Sequence, residues 1–227
     1  MNMGTDMNEA LFRLMSWLSP AYPVGAYSFS HGLEYAVEEG LVTDADSASN
    51  WIATIMTNGN GFADLVFVAA AYDSDPEQLP DLNEVALAFQ GTAELRLEST
   101  AQGGAFVRVT RDAWPCEAMK TLEEIAADGV SYAVAFGAVA KSHGVDRRDA
   151  ALAYAHAFAA NLVSAAVRLI PLGQTDGQRI TAELMPTCIE TVGRATLATV
   201  DDVATSTPMV DIASMKHEHQ YTRLFRS

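Results

Sequence analysis

The chain is poor in cysteine, in basic residues and in alternating apolar–polar runs, and each shortage narrows what it can be. Its only cysteines, Cys116 and Cys188, stand far apart and outside any C-x-x-C pattern. Isolated cysteines of this kind fit a reducing compartment, and the cytoplasm is the expected location. Lysine and arginine number 14 against 29 acidic residues, a formal net charge of −15. Tracking nucleic-acid phosphates takes a basic face, so nucleic acid is not an expected partner. Runs with a period of two are almost missing, which argues against strands.

Catalytic signatures are missing as well. No G-x-x-x-x-G-K-[ST] loop occurs, and Gly59-Asn60-Gly61 and Gly103-Gly104 lack both the lysine and the strand that such a loop needs. Neither a G-x-S-x-G elbow nor a Cys–His pairing is present. The pairs Glu123-Glu124 and Asp201-Asp202 would point in different directions on a helix, which suits solvation better than acid–base work. The expectation is therefore no enzyme and no cofactor. Two other classes stay open at this point: a helical enzyme with an unusual buried site, and a helical regulator that senses a small molecule.

A membrane role is also not expected. The longest apolar stretch, residues 150–170, contains His156, Asn161, Ser164 and Arg168, whereas a bilayer span needs about 20 mostly apolar residues. It reads as a buried helix. Residues 1–6 carry no basic group of the kind that opens a secretory signal.

What the chain has is helical periodicity. With 49% hydrophobic and 19% charged residues it has material for a core. Asp6 and Glu9 resemble a capping pair ahead of Met7, Leu11, Leu14, Met15 and Leu18, which recur at spacings of three and four until Ser19-Pro20. Further helices are expected from residue 43 to Asn58, from 62 to 72, and from Pro80 onward to a break or close backbone contact at Gly103-Gly104. Pro115 suits the first position of the next. Two Ala-rich helices over 131–143 and 146–170 follow. Their small side chains suit a tightly packed central pair or a dimer seam. A last helix opens on a Thr175–Gln178 capping box, is bent by Pro186 and ends at Asp201-Asp202. The sum is one all-α, bundle-like domain over residues 1–227 with about eight to ten helices.

Two segments read as recognition surfaces. In residues 19–34, Pro20, Pro23 and Gly25 hold the chain irregular while Tyr22, Tyr27 and Phe29 supply aromatic area suited to anchoring a partner or to covering the bundle end. The last twelve residues, 216–227, combine Tyr221, Leu224 and Phe225 with Arg223 and Arg226, a tail that either frays or docks. His217 and His219 are weak metal candidates. Two residues apart, they would meet one ion only on an irregular backbone, because a helix separates them by about 200°. A terminal segment of this kind is expected to be mobile when unbound.

Four stretches in order resemble one family, the urease accessory protein UreF. They are Pro-Val-Gly-Ala-Tyr-Ser-Phe-Ser-His-Gly-Leu-Glu at 23–34, Glu-Leu-Arg-Leu-Glu-Ser at 94–99, Ala-Ala-Val-Arg-Leu-Ile-Pro-Leu-Gly-Gln-Thr at 165–175, and His217-Glu218 followed by Arg-Leu-Phe-Arg-Ser at 223–227. Tyr22 and His219 are not positions where a fixed family residue is expected. The resemblance implies an all-α, non-enzymatic nickel-insertion factor that forms homodimers. It also implies binding to UreD (also called UreH) and recruitment of the GTPase UreG, so that nickel reaches apo-urease. By the same resemblance Tyr27, Ser28, His31 and Glu34 on the loop, with Tyr221, Arg223, Leu224, Phe225 and Arg226 on the tail, would shape the partner-binding surface. Arg168 invites comparison with an arginine finger, although an arginine closing an apolar helix is more often paired within its own fold.

Overall fold

The computed structural model describes the backbone of residues 3–226 and the side chains of residues 7–226. The helices are α1 Met3–Trp17, α2 Leu33–Glu38, α3 Ala45–Asn58, α4 Asn60–Asp73, α5 Leu79–Ala88, α6 Ala93–Ala113, α7 Met119–Ala126, α8 Tyr132–Ser142, α9 Arg147–Leu169, α10 Gln174–Ala195 and α11 Pro208–His217. Three single 3-10 turns, Ala26–Ser28, Pro76–Gln78 and Val200–Asp202, complete the regular structure. No strand occurs among the described residues, and the all-α class expected from periodicity is the one the chain adopts.

Side-chain caps fix several boundaries. Asp44 accepts the Ser47 amide at 2.8 Å, Thr92 accepts that of Leu95 at 3.1 Å, and Asp146 accepts those of Arg148 and Asp149 at 2.9 and 3.0 Å. Each satisfies a first-turn donor that has no partner within its helix. Other boundaries differ from the sequence reading. The backbone of α1 is helical from Met3, so Asp6 lies within the helix, and its side chain is outside the described residues. The Thr175–Gln178 box does not form. Instead α10 opens at Gln174, and the Asp176 carboxylate captures the Gly173 amide at 3.0 Å. The helix encloses Pro186 and stops at Ala195; Asp202 caps a separate turn by accepting the Thr199 amide at 2.8 Å. Pro115 lies in the connection before α7 rather than on its first turn.

Helix α6 runs unbroken through Gly103. A Cβ on that residue would stand 2.1 Å from the Val130 carbonyl oxygen, so the glycine marks a close backbone crossing and not a helix end. The interruption falls earlier, between α5 and α6.

Helix α4 is apolar on nearly every side and buried from Asn60 through Ala69, which makes it the central helix. Its main neighbour is α8, whereas α9 lies chiefly against α10 and to a smaller extent against α4 and α3. The small residues of α8 and α9 therefore serve packing, but the two helices touch each other little, and each has another helix as its main partner. Trp17, fully buried, meets Phe106, Trp114 and Phe136 edge-on at 6.1–6.4 Å and so ties α1 to α6 and α8. Such ring pairs contribute about 0.5–1.5 kcal/mol each beyond burial. Among the described residues α9 alone is long and apolar enough to cross a bilayer, and half of it is buried within the bundle.

Candidate functional site: the loop–tail junction

Helices α2 and α11 pack together and bring the 19–34 loop against the end of the chain. The loop reaches α2 through a left-handed pair, His31 at φ 58° and Gly32 at φ 75°. Gly32 cannot be replaced cheaply, because a Cβ there would stand 2.7 Å from the Ser214 amide of α11. Beside this crossing, Ser214 and the α6 cap residue Thr92 share a buried hydroxyl–hydroxyl hydrogen bond of 2.7 Å.

Glu34, in the first turn of α2 and buried, organises the tail. Its Oε1 accepts the Leu224 amide at 2.6 Å, and its Oε2 accepts the Phe225 amide at 2.9 Å. The same Oε2 stands 3.0 Å from Nε2 of His217, a ring with no exposed surface. Across that ring Nδ1 meets Glu94 of α6 at 2.9 Å. Carboxylates only accept hydrogen bonds, so both ring nitrogens carry hydrogen and His217 is an imidazolium. Burial opposes that charge, but Glu94 and Glu34 outweigh it and hold the pKa above the usual histidine value. Arg223 adds a second cation, its Nη1 donating to Glu94 Oε1 at 3.0 Å. Two cations thus balance two carboxylates at the base of the tail.

The remaining contacts pin loop and tail together. The Arg226 amide donates to the Ser28 carbonyl at 2.7 Å, and its guanidinium lies 5.6 Å from the Phe29 ring centre. Arg168, from the last turn of α9, donates to the Tyr27 carbonyl at 2.9 Å and to that of Ser164 at 3.2 Å, and it lies 4.2 Å over the Phe225 ring. Its guanidinium is thereby engaged within the fold. Gln220 donates to Glu38.

The residues singled out from sequence divide into two layers. Tyr27 is 67% exposed, Leu224 63% and Tyr221 fully; Arg223 and Arg226 share this outer face, with Ser28 half-buried. His31, Glu34 and Phe225 lie beneath, each under 9% exposed. They support the outer residues rather than joining them. The expected mobile tail is not what the structure contains, because the segment to Arg226 is seated on Glu34, Glu94 and the Ser28 carbonyl. The two tail histidines do not converge: His217 is enclosed between carboxylates while His219 is exposed on a turn. No group of three or more His, Cys, Asp or Glu among the described residues is arranged to hold a metal ion.

A second buried polar group lies behind the loop. His31 Nδ1 meets Glu98 Oε2 at 3.1 Å, Gln102 donates to Glu98 Oε1 at 3.1 Å, and Tyr154 donates to Asp64 Oδ2 at 3.0 Å. Burial drives the Asp64 pKa up to about 6 and that of Tyr154 well above its usual value. For His31 burial works against the charge, but Glu98 lifts its pKa above the ordinary value. Sequence reasoning assigned no role to Glu94, Glu98 or Asp64. Glu94, Glu98 and Gln102 recur every four residues on one helix face, a polar stripe that could have flagged them.

The polar groups of this region hold the chain's own loop and tail in place, an arrangement that fits a docking protein. Comparison with known proteins gives the family. The sequence pattern of the UreF family matches residues 42–185. The chain is 45% identical over 229 residues to a urease accessory protein UreF of Rhodopseudomonas palustris strain BisB5, covering 99% of this chain and 94% of that protein. It is 45% identical over 224 residues to the protein of the same name from Bradyrhizobium sp. strain ORS 278, covering 96% and 92%. The class is that of urease accessory proteins. Within it, the chain belongs to the UreF family.

Proposed function

We propose that this chain serves urease maturation as a non-enzymatic cytoplasmic docking platform. It binds UreD/UreH through the face carrying Tyr221 and Leu224, and recruits the GTPase UreG beside Tyr27 and Arg223. Nickel delivery to apo-urease is then the work of the assembled partners, and the platform acts as a homodimer. The observation that carries this reading is the division of the loop–tail junction. Exposed aromatic and aliphatic side chains are set on a backbone fixed by buried charge-assisted hydrogen bonds. Side chains presented on a fixed frame lose little entropy on contact, which is how interface anchors gain affinity. Family membership supports the same role.

The test is co-purification of the full chain with UreD and UreG, followed by GTP hydrolysis and urease activation with the assembled set. Assembly that survives removal of the exposed side chains of Tyr27, Tyr221 and Leu224 together would overturn the proposal. So would GTP hydrolysis by this chain alone.

A further inference from the structure

We propose that the cavity behind the 19–27 loop is a binding site for a small neutral amide, a primary carboxamide or a urea. The cavity has a volume of about 230 Å³, and Pro20, Tyr27, His156 and Ser164, all exposed, stand at its rim. His31 and Asp64 form its buried end, at 4% and 9% exposure.

Each of these two residues has one polar atom engaged and one that is not. His31 gives Nδ1 to Glu98 and Asp64 Oδ2 accepts from Tyr154, whereas His31 Nε2 has no hydrogen-bond partner and Asp64 Oδ1 has none at good geometry, the Gln90 side chain standing near enough only to lower the Asp64 pKa. Buried polar atoms in folded proteins are nearly always satisfied, so these two atoms, with Trp17 Nε1 also unpartnered in the lining, mark a place for a guest. Asp64 Oδ1 offers only an acceptor. Burial works against charge on His31, but the Glu98 carboxylate on Nδ1 favours the imidazolium, and in that form Nε2 offers a donor. The complement is a ligand with an N–H and a carbonyl oxygen held a bond or two apart. A primary amide has both.

Charge and shape narrow the class. The carboxylates of Asp64 and Glu98 repel a carboxylate ligand, and the imidazolium disfavours a cation at its own nitrogen. Trp17, Tyr22, Tyr132, Tyr154 and Phe158 line the walls and suit a flat, partly apolar molecule. Gln90 and Gln102 add side-chain amides that can pair with a ligand amide. The donors do not converge for a metal ion among the described residues. The rim residue Tyr27 also belongs to the proposed docking face, so the cavity is tested on the chain alone, where occupancy is read without the partners.

The experiment uses the purified full chain and three ring-matched probes: benzamide, benzoate and benzamidinium. Calorimetry and saturation-transfer NMR should show saturable millimolar-range binding of benzamide, about tenfold tighter than either charged probe. Asp64→Leu should abolish the preference. Because that variant could disturb folding, Ala157→Phe, which fills the cavity from a half-buried position on α9, serves as the second. It should weaken benzamide at least about tenfold while helical circular dichroism is retained. Equal affinity for all three probes would reduce the site to a greasy cleft and overturn the proposal. So would benzamide binding unchanged in Ala157→Phe, or no saturable binding at all.

Discussion

Glu34 and Phe225 stand 191 residues apart in sequence, yet Oε2 of the first accepts the backbone amide of the second at 2.9 Å. The contact joins the start of α2 to the end of the chain, and it is made to backbone, so it depends on Glu34 and not on which residue sits at 225. The tail is therefore held by its path, leaving its outward side chains free for other contacts.

Glu34→Gln removes the charge and places an NH2 group where three donors converge: the amides of Leu224 and Phe225, and His217 Nε2. One donor must then face another inside the protein. The expected loss is roughly 3 kcal/mol of folding stability in urea titration, since breaking a buried charged pair from one side leaves the other uncompensated. Limited proteolysis should cut the variant first between residues 218 and 226. Unchanged stability with an uncut tail would show that Glu34 is not the clasp.

The sign of the pH dependence follows from His217. Its folded pKa is held above the unfolded value of 6.5 by Glu94 and Glu34 against the cost of burial. The stabilisation is fully present below about 6.5 and is lost as pH rises through the higher folded value. His31, raised by Glu98, acts in the same direction. Stability and tail protection should thus decline from pH 6.5 toward alkaline pH. His217→Gln should flatten that decline without removing it, because His31 continues to titrate. A slope of the opposite sign would contradict the imidazolium assignment.

The helices were legible in the sequence because the period of apolar residues reports burial directly, as in α1, α3 and α9. Helices α2 and α11 were not: the first is six residues long and opens on Gly32, and the second starts at Pro208 after a polar stretch. The loop and tail stood out by composition, but their union did not. Glu34 and Glu94 look like ordinary surface carboxylates along the chain, and only the fold brings His217 between them. Asp64 is a similar case, a single acid inside an apolar helix whose partner Tyr154 lies 90 residues away.

Gly103→Ala sets two effects against each other. Inside α6 the change should add about 1 kcal/mol through helix propensity. The new Cβ, however, would stand 2.1 Å from the Val130 oxygen and 2.9 Å from the Tyr132 nitrogen, both backbone atoms that cannot rotate away. Overpacking of this kind costs about 1–3 kcal/mol or more, so the clash wins and the net change should be destabilising by roughly 2 kcal/mol. A rise in the urea midpoint would refute the crossing at this position.

Tyr27→Ala tests the loop as a partner anchor. The ring is 67% exposed, and the loop is fixed through the Tyr27 carbonyl, which Arg168 holds whatever the side chain. Melting temperature should stay within about 1 °C, and assembly with UreD and UreG should weaken by about 1–3 kcal/mol, the range of an aromatic interface anchor. A large drop in melting temperature with unchanged assembly would make the ring a cover for the bundle end.

The tail offers the sharpest separation of support from contact, because adjacent residues face opposite ways. Phe225 is 3% exposed and lies under the Arg168 guanidinium, while Leu224 is 63% exposed and Tyr221 fully so. Phe225→Ala should cost about 3–5 kcal/mol of stability through the cavity it leaves and should weaken UreD binding only by loosening the tail. The double change Tyr221→Ala with Leu224→Ala should leave urea unfolding within about 0.5 kcal/mol and still weaken UreD binding by at least about 2 kcal/mol. Deleting residues 216–227 cannot make this distinction, because it also strips His217 from between Glu34 and Glu94 and strands two buried carboxylates. Unfolding curves and UreD titrations on the same preparations decide the matter. If the double variant binds UreD as tightly as the parent chain, the outer face of the tail is not the docking surface.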